Sequence, residues 1–269
     1  VITSDAVIKQ HGSGPGFLAE ILDARIGYIR LGALSKDALA QMDTALASFK
    51  DKKLQSVILD LRGAPSSADY DIAAEFARRF CAKGALLFSV QKPSAKQERM
   101  LTSSQDPSYT GILVVLTDRQ TSGAAEALAA TLRRNAKAMI VGARTRGEAV
   151  EFSDVQLGDG NVLRIAVAQV MLPGTGPIFP DGVRPDISAV LSPELQAHIF
   201  QVSKEKGVSQ FVFETERPRF NEAALVANTN PEIDPGAMDD NPDEAWDTVL
   251  QRAVDLVTAI SFYDKRVMR

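Results

Sequence analysis

Ser56-Val57-Ile58-Leu59-Asp60-Leu61-Arg62-Gly63 is the stretch that decides the architecture of this chain. From Ser56 to Leu61 the apolar residues run on without alternating, as expected of a strand buried on both faces, and such strands belong to parallel sheets covered by helices. The flanking segments fit that reading. Upstream, Ile26-Gly27-Tyr28-Ile29-Arg30-Leu31 reads as a strand, and Ser35 opens a helix with apolar positions at Leu39, Met42, Leu46 and Phe49. Downstream follow a helix from about Asp69 to Phe80, a strand from Ala85 to Val90, and another from Gly111 to Leu116. A helix of small residues, about Ala124 to Arg134, and a strand from Ala138 to Val141 complete the alternation. The expected fold is an α/β layer with mainly parallel strands.

The pattern changes after Val150. Asp159-Gly160 lies between two alternating runs and predicts a hairpin, with strand resuming from Ala166 to Leu172, and the core is expected to close near Ile187. Beyond it, Ser192 to Lys206 predicts a helix, and Gln210 to Asp240 is polar and punctuated by proline. Asn241-Pro242-Asp243-Glu244 has the form of a helix start, and Trp246, Val249, Leu250, Ala253, Val257 and Ile260 form one apolar stripe that should dock on the body. At the other end, residues 1–16 include His11-Gly12-Ser13-Gly14-Pro15-Gly16 and read as a flexible lead-in. The organisation expected is this lead-in, a core over 17–190, and an extension over 191–269 packed on it.

Composition narrows the chemistry. The chain has 269 residues, 45% hydrophobic and 24% charged, with a net charge of −4, enough to bury one large core or two modest ones. Charges of both signs are interspersed, which leaves no basic face for nucleic acid. Apolar runs such as Ile112 to Leu116 are strand-sized, so no membrane span is expected. The chain opens at Val1 without a basic, apolar leader, which leaves the compartment open. Cys81 is the only cysteine, and His11 and His198 the only histidines. A disulfide framework and a Cys/His zinc site are thereby excluded within one chain, and histidine catalysis has few candidates. His11 and His198 read as solvated, and Cys81 as a small buried hydrophobe. Asp234, Asp239, Asp240, Asp243 and Asp247 lack calcium-loop spacing and lie beside a helix start that favours acids. Gly142 and Gly147 have the glycine spacing of a phosphate-binding loop, but Glu148 stands where its lysine belongs and repels phosphate. Neither a metal nor a cofactor is expected.

Several segments, in order, resemble one enzyme family. They are Gly27-Tyr28-Ile29, Ile58 to Gly63, Thr121-Ser122-Gly123-Ala124-Ala125-Glu126, Val141 to Gly147, and Asp181-Gly182-Val183-Arg184-Pro185-Asp186. Together they resemble the S41 peptidases, the C-terminal processing or tail-specific proteases, over roughly residues 17 to 190. The resemblance implies a ClpP/crotonase-like α/β core, export to the periplasm or cell envelope, and a serine nucleophile activated by a lysine base. A serine hydroxyl attacks only when a base takes its proton, and lysine serves when desolvation lowers its pKa. The family's PDZ segment has no counterpart in these residues.

The chain departs from the family at the reacting positions. Anchored on Glu126, the nucleophile position falls on Gly123; the lysine position, after the Gly-x-x-Thr-x-Gly turn, falls on Glu148; and the assisting glutamine falls on Phe152. The oxyanion region falls on Ser66, Ser67 and Ala124, with two serines where the family has glycines that let backbone approach the substrate carbonyl. The reading that follows is an S41-like domain whose Ser-Lys pair is replaced, acting by binding an extended peptide or protein C-terminus, or by assembly. An alternative is an active peptidase that uses Ser122, with Glu148 as base, although Ser122 also reads as a helix cap with Ala125 at the capping-box position. A further alternative is a structural oligomer. If buried, Glu148 needs a cation, and Arg144, Arg146 and Arg62 are the nearest.

Overall fold

A computed structural model describes residues 15–267 apart from 24, 93, 95, 158–159 and 214–244. In chain order the strands are β1 Leu18–Leu22, β2 Ile26–Arg30, β3 Ser56–Asp60, β4 Leu86–Lys92, β5 Gln97–Thr102, β6 Ile112–Thr117, β7 Met139–Gly142, β8 Val150–Gln156, β9 Val162–Leu172, β10 Gly176–Pro177 and β11 Ile187–Ser188. The helices are α1 Lys36–Asp51, α2 Tyr70–Arg78, α3 Ala124–Asn135, α4 Pro193–Lys206 and α5 Thr248–Val267, with a short 3₁₀ turn at Ser209–Phe211.

The main sheet has the order β1-β2-β3-β6-β7-β11, parallel throughout except for β1. Its two faces explain the unbroken apolar run of β3. Val57 and Leu59 pack with Met42, Leu46, Phe76 and Leu128 of α1, α2 and α3 on one side. Ile58, one residue out of phase, packs with Val249, Leu250 and Val257 of α5 on the other. Successive strand side chains point to opposite faces, and because helices cover both, every position in β3 is buried. The stripe predicted on the last helix is what closes the second face. Of its members Val249, Leu250, Ala253 and Val257 are buried, whereas Trp246 and Ile260 are half-buried.

Helix ends follow local sequence. Ser35 caps α1 by accepting from the Ala38 N–H, Asp69 caps α2 through Ile72, and Ser192 caps α4 through Leu195. The last helix differs from expectation. Asp247 caps α5, its Oδ1 accepting from the Leu250 N–H at 2.9 Å. The predicted start at Asn241 lies outside the described residues, as do residues 1–14 with His11, residues 214–244 of the polar segment, and Asp234, Asp239, Asp240 and Asp243.

Three further features depart from the sequence reading. The predicted strand near Ala85–Val90 is not in the parallel layer: as β4 it joins a second sheet of order β10-β9-β4-β5, antiparallel throughout, with β8 also pairing β9. Strands β1 and β5 were not anticipated. The first pairs antiparallel with β2, Leu22 opposite Ile26, and the second carries mostly exposed polar residues. The hairpin of β8 and β9 forms as expected, with Gln156 opposite Val162. Among the described residues no helix is long and apolar enough to cross a membrane.

Candidate active site

At the end of β6 the chain turns through Asp118 to Gly123 into α3, and a set of hydrogen bonds fixes this corner. Asp118 Oδ1 accepts from the Gln120 and Thr121 N–H groups and from the Thr121 hydroxyl. Its Oδ2 accepts from the Gly63 N–H at 2.9 Å and from Gln196 Nε2 at 2.8 Å. One carboxylate thus ties the turn before α3 to the loop after β3 and to α4.

Gly123 follows with φ 59° and ψ −120°, a conformation that side-chain-bearing residues rarely adopt. It is the N-cap residue of α3, and Glu126 reaches back to accept from its N–H at 3.0 Å. Glu126 is fully buried and its oxygens are heavily used. Oε2 also accepts from the Glu148 N–H at 2.7 Å, and Oε1 accepts from the Thr145 hydroxyl and the Gly147 N–H. The amides of Gly123 and Glu148 therefore donate to the same oxygen. Positions 25 residues apart in sequence, which the motif reading pairs as nucleophile and base, are spatial neighbours.

The side chains at that corner are another matter. Gly123 offers no nucleophile and no space for one: a Cβ built on it falls 2.2 Å from the Ser67 carbonyl oxygen. That carbonyl accepts from the Ala124 N–H at 2.7 Å. An oxyanion hole requires free donors aimed at the developing charge, and here the Ala124 donor is already satisfied by the protein's own backbone. The Ser67 hydroxyl is turned to the start of α2, where it accepts from the Asp69 N–H, and Ser66 is exposed.

Glu148 is one-third exposed and pairs through Oε1 with Arg146 Nε at 2.9 Å. Of the three cations considered for it, Arg144 binds Asp181 instead, and Arg62 is taken by other carboxylates. Phe152 sits on β8 opposite Ala166, partly exposed, with the Arg164 guanidinium 4.6 Å over its ring. Ser122 is 1% exposed, and its hydroxyl oxygen has no hydrogen-bond partner. It is not the side-chain cap of α3, because the capping position is Gly123. Nor does its hydroxyl hydrogen-bond to Glu148 as a base would require; the Glu148 carboxylate pairs with Arg146.

Beside this corner lies a charged cluster that the sequence reading did not assemble. Arg62 donates to both oxygens of Asp60 and, with Nη1 and Nη2 at 2.9 and 2.8 Å, to both oxygens of Asp247. All three are essentially sequestered from solvent. Burial works against the Arg62 charge, but Asp247 and Asp60 outweigh it and hold its pKa well above the ordinary range. Burial, reinforced by Asp60, likewise pushes the Tyr28 phenol well up, and its hydroxyl donates to Asp60 Oδ2 at 2.8 Å. The Phe200 ring of α4 lies under both Arg30 and Arg62, at 4.7 and 5.4 Å. The segment that leads from β3 into the Ser66–Ser67 loop is thus clamped by α4 and by the N-cap of α5. His198 is exposed on α4, and Cys81 is buried.

Comparison with known proteins identifies the family. The model of Peptidase family S41 matches residues 25–189. The chain is 29% identical over 167 residues to the chloroplastic carboxyl-terminal-processing peptidase 3 of Arabidopsis thaliana, covering 61% of this chain and 31% of the relative. It is 28% identical over 172 residues to the carboxyl-terminal-processing protease of Synechocystis, covering 62% and 40%. The chain thus spans well under half the length of these curated relatives. Its fold is similar to that of a photosystem II D1 C-terminal processing protease, with a TM-score of 0.55 at 22% identity over 71% of this chain and 53% of that one.

Proposed function

The chain belongs to peptidase family S41, and from that premise we propose that it is a member without working catalytic machinery, acting by holding an extended peptide or protein C-terminus rather than cutting it. In this reading the core spans 17–190 and the extension 191–269 serves as a clamp on the corner. The observation that carries the reading is the closed corner. Gly123 supplies no nucleophile, the space for its Cβ is filled by the Ser67 carbonyl, and the same carbonyl occupies the Ala124 N–H. Glu148 carries the charge opposite to a lysine base and is neutralised by Arg146. A buried, unpaired Ser122 hydroxyl weighs against the alternative of an active enzyme using that residue. An extended ligand would pair with a sheet edge, where backbone groups supply affinity and side-chain pockets supply selectivity. We also propose, from the family reading, an exported location in the periplasm or cell envelope.

The test uses a fluorophosphonate probe and a library of peptides with free C-termini. Saturable peptide binding without turnover or labelling is expected. Labelling that disappears in Ser122→Ala overturns the proposal.

A second reading, assembly with other copies, is favoured by one feature. On the ribbon of β8 and β9, Val155, Leu163 and Ile165 share one face with Ser153 and are each more than 40% exposed. Exposed apolar faces of this kind commonly mark contact surfaces. Sedimentation velocity with Leu163→Glu separates the readings: a monomer that binds peptide supports the first, and an oligomer broken by the substitution supports the second.

A further inference from the structure

At the opposite end of β3 from the Gly123 corner, a cavity of about 260 Å³ opens between the start of β2, the turn from α1 into β3, and the C-terminal half of α5. Its apolar lining comes from Ile26, Leu54, Val257 and Phe262. Its charged lining is Arg25, Lys52 and Lys53 against a single carboxylate, Asp23. These three cations make no ion pair among the described residues, in contrast to Arg62, Arg79, Arg133 and Arg144, each of which has a carboxylate partner. A smaller cavity of about 180 Å³ near the ends of β6 and β11 is lined by Arg62, Asp118 and Gln196. There Arg62 is spent on Asp60 and Asp247, and Asp118 on Gln196, so Arg119 is the single lining cation without an ion pair among the described residues. The cavity at the start of β2 gathers three such cations, Arg25, Lys52 and Lys53.

Two backbone observations point the same way. Lys53, the residue after the C-cap of α1, lies at φ 57° and Asp23 at φ 46°, so two of the non-glycine residues in the left-handed region line this one cavity. The turn at Lys53, with the Leu54 N–H bonded back to the Phe49 carbonyl, is the helix ending in which glycine is favoured. Conformations of this kind persist where the surroundings over-determine them, and they gather at functional positions. The C-terminal carbonyls of α1 draw cations and account for some of the lysine there. They do not account for Arg25, which comes from a different element.

We propose that this cavity is a binding site for a small anionic amphiphile, a carboxylate with a compact apolar body. The cations hold the headgroup, and Ile26, Leu54, Val257 and Phe262 take the body. At a liquid share of about 30 Å³ per water, the cavity holds the equivalent of about nine waters, which suits a chain of about eight carbons with its headgroup. The site is separate from the peptide corner and does not depend on how that corner functions.

Isothermal titration with octanoate, using octylammonium and octanol as controls, tests the proposal in the intact protein at low salt. Octanoate is expected to bind one-to-one and at least ten-fold more tightly than either control. Arg25→Glu with Lys53→Glu, both on exposed side chains, should lower octanoate affinity at least ten-fold and leave the circular-dichroism melt in place. Lys53→Gly should raise the melting temperature by about 2–4 °C, as expected where glycine relieves a left-handed residue, while weakening octanoate. Equal binding of octanoate and octylammonium, no binding of octanoate, or an affinity unmoved by charge reversal in a protein that still folds each overturns it.

Discussion

Replacing Gly123 by serine is the substitution that would restore a nucleophile by sequence, and the structure predicts that it fails. Two terms set the size of the effect. The backbone at φ 59° and ψ −120° costs a side-chain-bearing residue about 1–3 kcal/mol. The new Cβ, 2.2 Å from the Ser67 carbonyl oxygen, must push that carbonyl away, leaving the buried Ala124 N–H without its acceptor for about 1–3 kcal/mol more. Gly123→Ser should therefore lose about 2–6 kcal/mol, a large fraction of the 5–15 kcal/mol typical of a folded domain. Urea unfolding followed by far-ultraviolet circular dichroism measures it. The loop and the corner should also be coupled. With Ser66→Gly and Ser67→Gly in place, the peptide before Ala68 can rotate its carbonyl aside, and the cost of Gly123→Ser should fall by at least about 1 kcal/mol in a double-mutant cycle. Gly123→Ser within about 0.5 kcal/mol of the parent, with the Ser67–Ala124 hydrogen bond intact in its structure, would refute the reasoning, since ordinary surface substitutions cost no more.

Other consequences follow from the packing. Asp247→Ala leaves Arg62 buried with half its partners gone and should cost about 3–5 kcal/mol in the same unfolding assay. A loss under about 1 kcal/mol would show that Asp60 alone suffices, because an exposed pair is worth no more than that. Leu250→Ala removes a fully buried contact between α5 and the sheet and should cost about 2–5 kcal/mol. Burial pushes the Cys81 thiol up to about 12, so in the native protein iodoacetamide at pH 8 should leave it unmodified while the urea-unfolded chain reacts. Because the folded value is raised, the neutral thiol's contribution is complete below the unfolded value near 8.5. It is lost as pH climbs toward about 12, by about 1.4 kcal/mol per pH unit. Stability unchanged by Cys81→Ser across that window would contradict the assignment.

The sequence makes the central layer legible because both faces of its strands are covered. Val57 to Leu59 must be apolar whichever way they point, and Ser35 and Asp69 mark helix starts by side-chain chemistry. The second sheet is less legible. Strand β5 is solvated and therefore polar, and nothing in the run of β4 states that its neighbours are antiparallel. Motif order pairs positions 123 and 148, and in the fold the amides of Gly123 and Glu148 meet at Glu126. What closes the corner was not readable. The Ser67 carbonyl belongs to the backbone, so no residue type announces where it points. Asp247 looked like one of several acids near a helix start, and only the folded chain brings it 185 positions back to Arg62. The helix cap falls one residue later than the sequence suggests, on Gly123 rather than Ser122, and the Ser122 hydroxyl is buried without a partner.

Turnover is the direct test of the account. The purified protein, offered peptides with free C-termini in excess and followed by mass spectrometry, should bind them and release none cleaved, with no fluorophosphonate adduct on any serine. Hydrolysis abolished by Ser122→Ala, in a variant that still folds, would contradict the claim that this S41 corner is closed.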